Sequence, residues 1–227
     1  WLSLDPAYPD ERLELMLREA TPPLIITSSE LGARASILYP GARILSWVPV
    51  TTHPPPPLNL VPTNPWRPCC LFFTSGSTGR PKSAVHTHAN ILFDIRRQTR
   101  DLAITSGDRF DLLFSASFSA FLSPVFGALL TGASVHLWPL FMRSMADLRD
   151  WLEDTQITVS TMSVSSFRRL AATPIRHGFE HLRILSMGAE PLVPADYEAF
   201  SRRFPPRCIL QNALATTETR TIAQECH

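Results

Sequence analysis

The stretch FTSGSTGRPKSAV (73–85) gathers residue types that suit phosphate. Thr74, Ser75, Ser77 and Thr78 offer four hydroxyls. Gly76 and Gly79 let the backbone turn and approach a ligand closely. Successive N–H groups of such a turn form an anion-binding nest, and Lys82 adds a point charge for a phosphate oxygen. The spacing falls one residue short of a Walker A loop, in which Gly, four residues and Gly-Lys lead to Ser or Thr. Here Gly76 and four residues lead to Pro81, Lys82 and Ser83. Pro81 has no N–H to give, and Ser83-Ala84-Val85-His86 reads as a strand, not as the helix a Walker loop opens. A P-loop kinase or ATPase is thereby disfavoured. A phosphate cradle and an ordinary Gly/Ser turn both remain open on these residues alone.

The elements around the loop follow from apolar periodicity. PDERLELMLREA (9–20) places Leu13, Met16, Leu17 and Ala20 at helical spacing. PPLIIT (22–27) and ARILSWV (42–48) read as short strands. Residues 51–68 form a proline-rich loop whose four consecutive prolines favour polyproline II; a connecting loop fits it better than a ligand for proline-recognition modules. CCLFFT (69–74) is a buried strand into the glycine loop, SAVH (83–86) leaves it, and Thr87 caps a helix through HANILFDIRRQT. Strand and helix then alternate: RFDLLFS, a helix from Phe118 to Leu130, ASVHLW, RSMADLRDWLEDT, ITVSTM, SSFRRLAAT, LRILSMG, ADYEAFSRRF, and RCILQN to end the series. This alternation predicts an α/β fold with a mostly parallel sheet flanked by helices.

Composition narrows the partners. The chain has 227 residues, and 44% hydrophobic content supports a sizeable core. Its 21 basic and 20 acidic residues leave a net charge of +1, giving no general field for nucleic acid or an anionic membrane. Cys69, Cys70, Cys208 and Cys226 fit neither a zinc pattern nor a disulfide framework, and imply thiols in a reducing cytoplasm. Residues 112–142 carry no charge, but five serines, two prolines and two glycines interrupt the run, so buried strand and helix are expected, not a membrane span. WLSLDPAYPDERL has no basic or apolar signal-peptide regions. Both termini read as the middle of something longer.

The run Thr-Ser-Gly-Ser-Thr-Gly-x-Pro-Lys resembles the signature loop of the adenylate-forming superfamily: acyl-CoA synthetases, luciferases and the adenylation domains of nonribosomal peptide synthetases. The family usually has Gly where Ser83 stands. Further segments agree in order: LSLDPAYPDERL (2–13), FGALLTGASVHL (126–137), LRILSMGAEPL (182–192) and QNALATTET (211–219). The resemblance implies that residues 1–227 are a partial AMP-binding domain, an incomplete large N-terminal domain. The small mobile C-terminal domain, with its lysine, and a ribose-binding aspartate lie outside the sequence. It also implies nucleotide contacts at Thr74, Ser75, Gly76, Ser77, Thr78, Gly79, Lys82, Gly188, Ala189, Glu190, Asn212, Leu214 and Thr217. Lys82, Thr217 and Glu218 take the catalytic roles, and Glu218 holds Mg²⁺, since a carboxylate beside a triphosphate requires a cation between them. Leu214 replaces an aromatic that faces adenine in the family, and Ala215 replaces a glycine, so weaker stacking is expected.

Family enzymes join a carboxylate to ATP, then pass the acyl group to CoA or to the phosphopantetheine of a carrier protein. Members that activate α-amino acids pair the ammonium with an aspartate eight residues before the position of Gly127; that position is Ser119 here. A buried ammonium without a counter-charge costs several kcal/mol. The expected substrate is therefore an acyl or aryl acid without an α-amino group, in a pocket lined by Ser119, Ala120, Ser123, Leu185, Met187 and Ala213. The other reading of the chain is a truncated, non-catalytic remnant with at most ATP binding, and the expected location is the cytoplasm.

Overall fold

A computed structural model describes residues 1–48, 63–74, 81–138, 144–174 and 178–227. Helix α1 (Asp10–Ala20) buries Leu13, Met16 and Leu17, the apolar stripe predicted from spacing. Strands β1 (Leu24–Thr27) and β2 (Arg43–Ser46) pair in parallel across helix α2 (Ser29–Leu38), which the sequence reading did not assign. That helix contains Gly32 and has no buried residue, so its apolar stripe is weak.

Strands β3 (Pro68–Thr74) and β4 (Lys82–Thr87) form an antiparallel hairpin. Thr87 then caps helix α3 (His88–Asp101) as predicted. Its Oγ1 accepts from the Asn90 N–H at 3.1 Å, and Asn90 Oδ1 accepts from the Thr87 N–H at 3.1 Å. Such a cap contributes about 1 kcal/mol.

The remaining strands make one six-stranded sheet in the order β10-β9-β8-β7-β5-β6. They are β5 (Arg109–Leu112), β6 (Ser134–Leu137), β7 (Val159–Ser163), β8 (Ile184–Gly188), β9 (Ile209–Thr216) and β10 (Arg220–Cys226). All neighbours are parallel except β10, which returns antiparallel to β9. The expectation that RCILQN ends the series is corrected: β9 runs on through Ala213–Thr216, and a hairpin follows. Because β10 reads RTIAQEC, with polar residues on both faces, alternation alone does not mark it. The helix expected from Phe118 to Leu130 splits into a 3₁₀ turn, Ser119–Phe121, and α4 (Leu122–Leu129). Among the described residues no helix is long and apolar enough to cross a membrane.

Helices cover both faces of this sheet. On one face Met162, Leu185, Met187 and Leu210 pack with Leu148 and Leu152 of α5 (Met145–Asp154) and with Val164, Phe167 and Leu170 of α6 (Val164–Ala171); α7 (Pro194–Arg203) adds Tyr197 and Phe200 at the rim. On the other, Phe110, Val159 and Ile184 meet Ala128 of α4 and Leu102 after α3. A third cluster of Cys70, Phe72, Ile91, Ile95 and Leu122 ties the β3–β4 hairpin to α3 and α4.

The starting edge of the parallel strands is locked by polar contacts. Asp108 precedes β5, Thr158 precedes β7 and Arg183 precedes β8. Arg183 donates Nε and Nη2 to the two Asp108 oxygens, each at 2.7 Å, and the Thr158 hydroxyl donates to Asp108 Oδ1 at 2.7 Å. The Thr105 N–H adds a bond of 2.8 Å. Burial alone would raise the Asp108 pKa, but Arg183, the Thr105 N–H and Thr158 outweigh it and hold the carboxyl at about 2.

Candidate functional site

In open α/β sheets ligands bind beyond the carboxyl ends of the strands. The predicted nucleotide segments lie there: Gly188 ends β8, Ala189 and Glu190 follow it, and Thr217 and Glu218 stand in the β9–β10 turn. Gly188 has a steric reason. A Cβ there would stand 2.8 Å from the Ala213 carbonyl oxygen, so only glycine lets β8 and β9 approach this closely. Ala189 sits at φ 70°, the left-handed region in which the chain leaves the sheet sharply.

The turn is braced internally and externally. Thr216 Oγ1 accepts from the Thr219 N–H at 3.1 Å and lies 2.8 Å from Thr219 Oγ1. Buried His86 of β4 donates from Nε2 to the Thr217 carbonyl at 2.7 Å. That bond joins the turn carrying Glu218 to the strand that begins at Lys82. Sequence reasoning did not single out His86, since its partner is 131 residues away. The glycine-loop residues Ser75, Gly76, Ser77, Thr78 and Gly79 lie outside the described residues, as does the segment 49–62 holding most of the proline-rich loop. The base of that loop is described: Thr74 Oγ1 donates to the Lys82 carbonyl at 3.4 Å, and the Lys82 side chain is exposed. Among the described residues neither the Lys82 ammonium nor the Glu218 carboxylate has a hydrogen-bond or ion-pair partner.

Glu190 is already engaged. Its Oε1 accepts from the Ser165 N–H at 3.2 Å in the first turn of α6, and Arg168 stands 3.9 Å from Oε2. Asn212 is half-buried on β9, and Leu214 is 61% exposed. No group of three metal-ligating side chains occurs among the described residues. Mg²⁺, however, is commonly bound by one or two carboxylates plus substrate phosphates. A lone unpaired Glu218 fits that mode and not an all-protein cage.

The expected substrate pocket is corrected at two positions. Leu185 and Met187 are buried in the core beneath α5 and α6, on the opposite face of the sheet from α4. Successive strand residues point to opposite faces, so β8 turns Ser186 and Gly188 toward α4 instead. Ser123 and Gly127 of α4, Thr161 and Ser186 line a cavity of about 10 Å³, room for one water. Ala213, in register with Gly188, belongs to that face. Ser119 and Ala120 lie in the 3₁₀ turn before α4. The signal was present in the alternation of ILSMG, large apolar residues against small and polar ones. A larger, mostly apolar groove of about 930 Å³, between the N-terminal segment and β3–β4, holds none of the predicted site residues.

One residue at this site was not foreseen. Arg220, first in β10 and 6% exposed, reaches across to α4. Its Nη1 donates to the Ser119 carbonyl, and its Nη2 donates to Ser123 Oγ at 2.7 Å. Its Nε donates to Asp94 Oδ2 at 3.1 Å. Asp94 also accepts from Arg97 at 3.1 Å.

The family model described as AMP-binding enzyme matches residues 1–227. Surfactin synthase subunit 2 of Bacillus subtilis (strain 168) is 29% identical over 226 residues, covering 98% of this chain and 6% of that protein. Among solved structures, the nonribosomal peptide synthetase FmoA3 (S1046A) superposes with a TM-score of 0.83 at 24% identity, over 99% of this chain and 24% of that one. O-succinylbenzoate coenzyme A synthetase of Bacillus subtilis, in complex with ATP and magnesium ion, gives 0.78 at 17% identity, over 98% and 46%. The chain spans only 4 to 8% of the length of the first curated relatives it matches.

Proposed function

The chain belongs to the AMP-binding enzyme family, and we propose that it carries nucleotide-binding machinery of an ATP-dependent ligase for a carboxylic acid without an α-ammonium group. In the reaction a substrate carboxylate oxygen attacks the α-phosphorus of ATP, the bond to the bridging oxygen breaks, and pyrophosphate leaves. The thiol of CoA or of a carrier-protein phosphopantetheine then attacks the acyl carbonyl, losing its proton, and the bond to AMP breaks to release AMP. Catalysis of such a step is positioning and charge neutralisation. Lys82 supplies a cation at the base of the glycine loop, and Thr217 a hydroxyl for phosphate. Glu218 would hold Mg²⁺, which when bound neutralises triphosphate charge.

The observation that carries this reading is the His86–Thr217 bond, which brings the Glu218 turn to the strand of Lys82. The exclusion of α-amino acids is supported by charge. No carboxylate stands at position 119 or 123, and both residues accept from Arg220, whose charge is paired with Asp94. The test is equilibrium binding of Mg·ATP. Lys82→Ala is expected to weaken it at least tenfold, and unchanged affinity in a folded variant refutes the assignment of the loop.

A further inference from the structure

We infer that Arg220 is a positioning residue: it fixes the β9–β10 turn against α3 and α4, so that the Glu218 carboxylate is held in place to meet Mg·ATP. The inference rests on the proposed ATP-dependent function and deepens it. Arg220 acts through Glu218 and not on the nucleotide.

Glu218 is the middle residue of the turn 217–219 that joins β9 to β10. Its side chain is exposed and, among the described residues, has no hydrogen-bond or ion-pair partner. A carboxylate on a free turn loses backbone and rotamer freedom when it takes up a ligand. Holding the turn from outside removes part of that cost in advance, and this turn is held on both sides of Glu218. Before it, His86 of β4 donates to the Thr217 carbonyl at 2.7 Å. After it comes Arg220, whose side chain is buried and bonded to three other elements. Nη1 donates to the Ser119 carbonyl in the 3₁₀ turn, Nη2 to Ser123 Oγ of α4 at 2.7 Å, and Nε to Asp94 Oδ2 of α3 at 3.1 Å. The planar fork fixes these directions relative to one another, which a flexible ammonium does not do. Asp94 is itself buried and also accepts from Arg97 at 3.1 Å, so the anchor point does not drift.

The backbone bends to make this anchor. Arg220 stands at φ 62°, a left-handed conformation that non-glycine residues adopt rarely. Such strain persists only where surrounding contacts over-determine it, and the contacts to Asp94, Ser119 and Ser123 are the ones that do so here. The charge of Arg220 is paired with Asp94 at 3.0 Å and its guanidinium is enclosed. Its influence on a nucleotide therefore runs along the chain, through Thr219 to Glu218.

The test is a double-mutant cycle in the natural full-length protein, with ATP affinity read by calorimetric titration in the presence and absence of Mg²⁺. Glu218→Gln is expected to weaken Mg·ATP about tenfold, as the loss of one metal-binding carboxylate. Arg220→Met, whose Asp94 keeps Arg97, is expected to weaken it about fivefold, the cost of ordering a rotamer-rich side chain. Both variants are expected to bind metal-free ATP within about twofold of wild type, and the double variant to bind Mg·ATP within about twofold of Glu218→Gln. A residue that only stabilises the fold lowers both ATP affinities together, and its loss adds to that of Glu218→Gln. Arg220→Lys keeps the charge beside Asp94 without the fork and is expected to show the same pattern with a smaller loss; it carries the cycle if Arg220→Met does not fold. Additive losses, equal losses with and without Mg²⁺, or unchanged Mg·ATP affinity in the folded Arg220 variants overturn the inference and leave the nucleotide assignment standing. Unchanged Mg·ATP affinity in Glu218→Gln overturns the metal role of Glu218 and the inference with it.

Discussion

Replacing Asp108 by Asn tests whether the starting edge of the sheet is held by one ionised carboxylate. Asp108 accepts five hydrogen bonds, two of them from Arg183 and two from Thr105, and it is buried. Its carboxyl is held at about 2 against an ordinary 3.8. That difference of nearly two pH units corresponds to about 2.5 kcal/mol at neutral pH, since one unit is about 1.4 kcal/mol. The sign follows from linkage. A depressed folded-state pKa means that the unfolded chain binds the proton more readily, so the contribution is complete above pH 4 and disappears as pH falls toward 2. Urea denaturation of Asp108→Asn at pH 7 is expected to show a loss of about 2 to 3 kcal/mol with an unchanged m-value. The gap to wild type is expected to halve by pH 3 and almost close at pH 2. Equal stabilities at pH 7, or a gap that stays constant down to pH 2, refute the reasoning.

Asp111 gives the opposite slope. It is fully buried, and burial raises its carboxyl to about 7 in spite of bonds from the Ser160 hydroxyl and the Thr161 N–H. The folded state then binds the proton more tightly, so stability is expected to fall between pH 4 and 7; pH-dependent melting of Asp111→Asn should lose that slope. The face assignment of β8 is checked by a pair of variants. Met187→Ala should cost about 2 to 5 kcal/mol in urea denaturation, as a truncation in a packed core, whereas Ser186→Ala should cost under about 1.5 kcal/mol and alter the preference among acids in pyrophosphate exchange. Gly188→Ala is expected to destabilise by about 1 to 3 kcal/mol, the range for overpacking, because the new methyl meets a backbone oxygen; melting temperature reads it out. His86→Leu is expected to weaken Mg·ATP binding several-fold while His86→Gln, which retains a side-chain N–H donor, recovers part of it, a difference that calorimetric titration resolves.

The α/β alternation was legible where a helix start carries its own cap and a strand its own apolar run. Thr87 with Asn90 and Ser144 with Asp147 write two boundaries into neighbouring letters. What escaped depends on distant partners. Helix α2 buries no side chain completely, so its periodicity is faint. Strand β10 is recognisable only once β9 lies beside it. The pocket face of β8 was assigned to Leu185 and Met187 on side-chain character, although a period of two sends those residues to the core with Leu210. Arg220 stands next to the Glu218 motif, but its meaning comes from Asp94, 126 residues earlier.

The His86–Thr217 bond has a consequence for the order in which the molecule assembles. Each strand pair it joins is a local hairpin that closes over few residues. The bond between them closes a loop of 131 residues, an entropic cost of about 4 kcal/mol from the logarithm of loop length. One hydrogen bond does not repay that, so the two hairpins meet only after the intervening strands and helices have docked. Under the proposed function, nucleotide affinity is therefore expected to read out complete folding, since the site needs both hairpins joined.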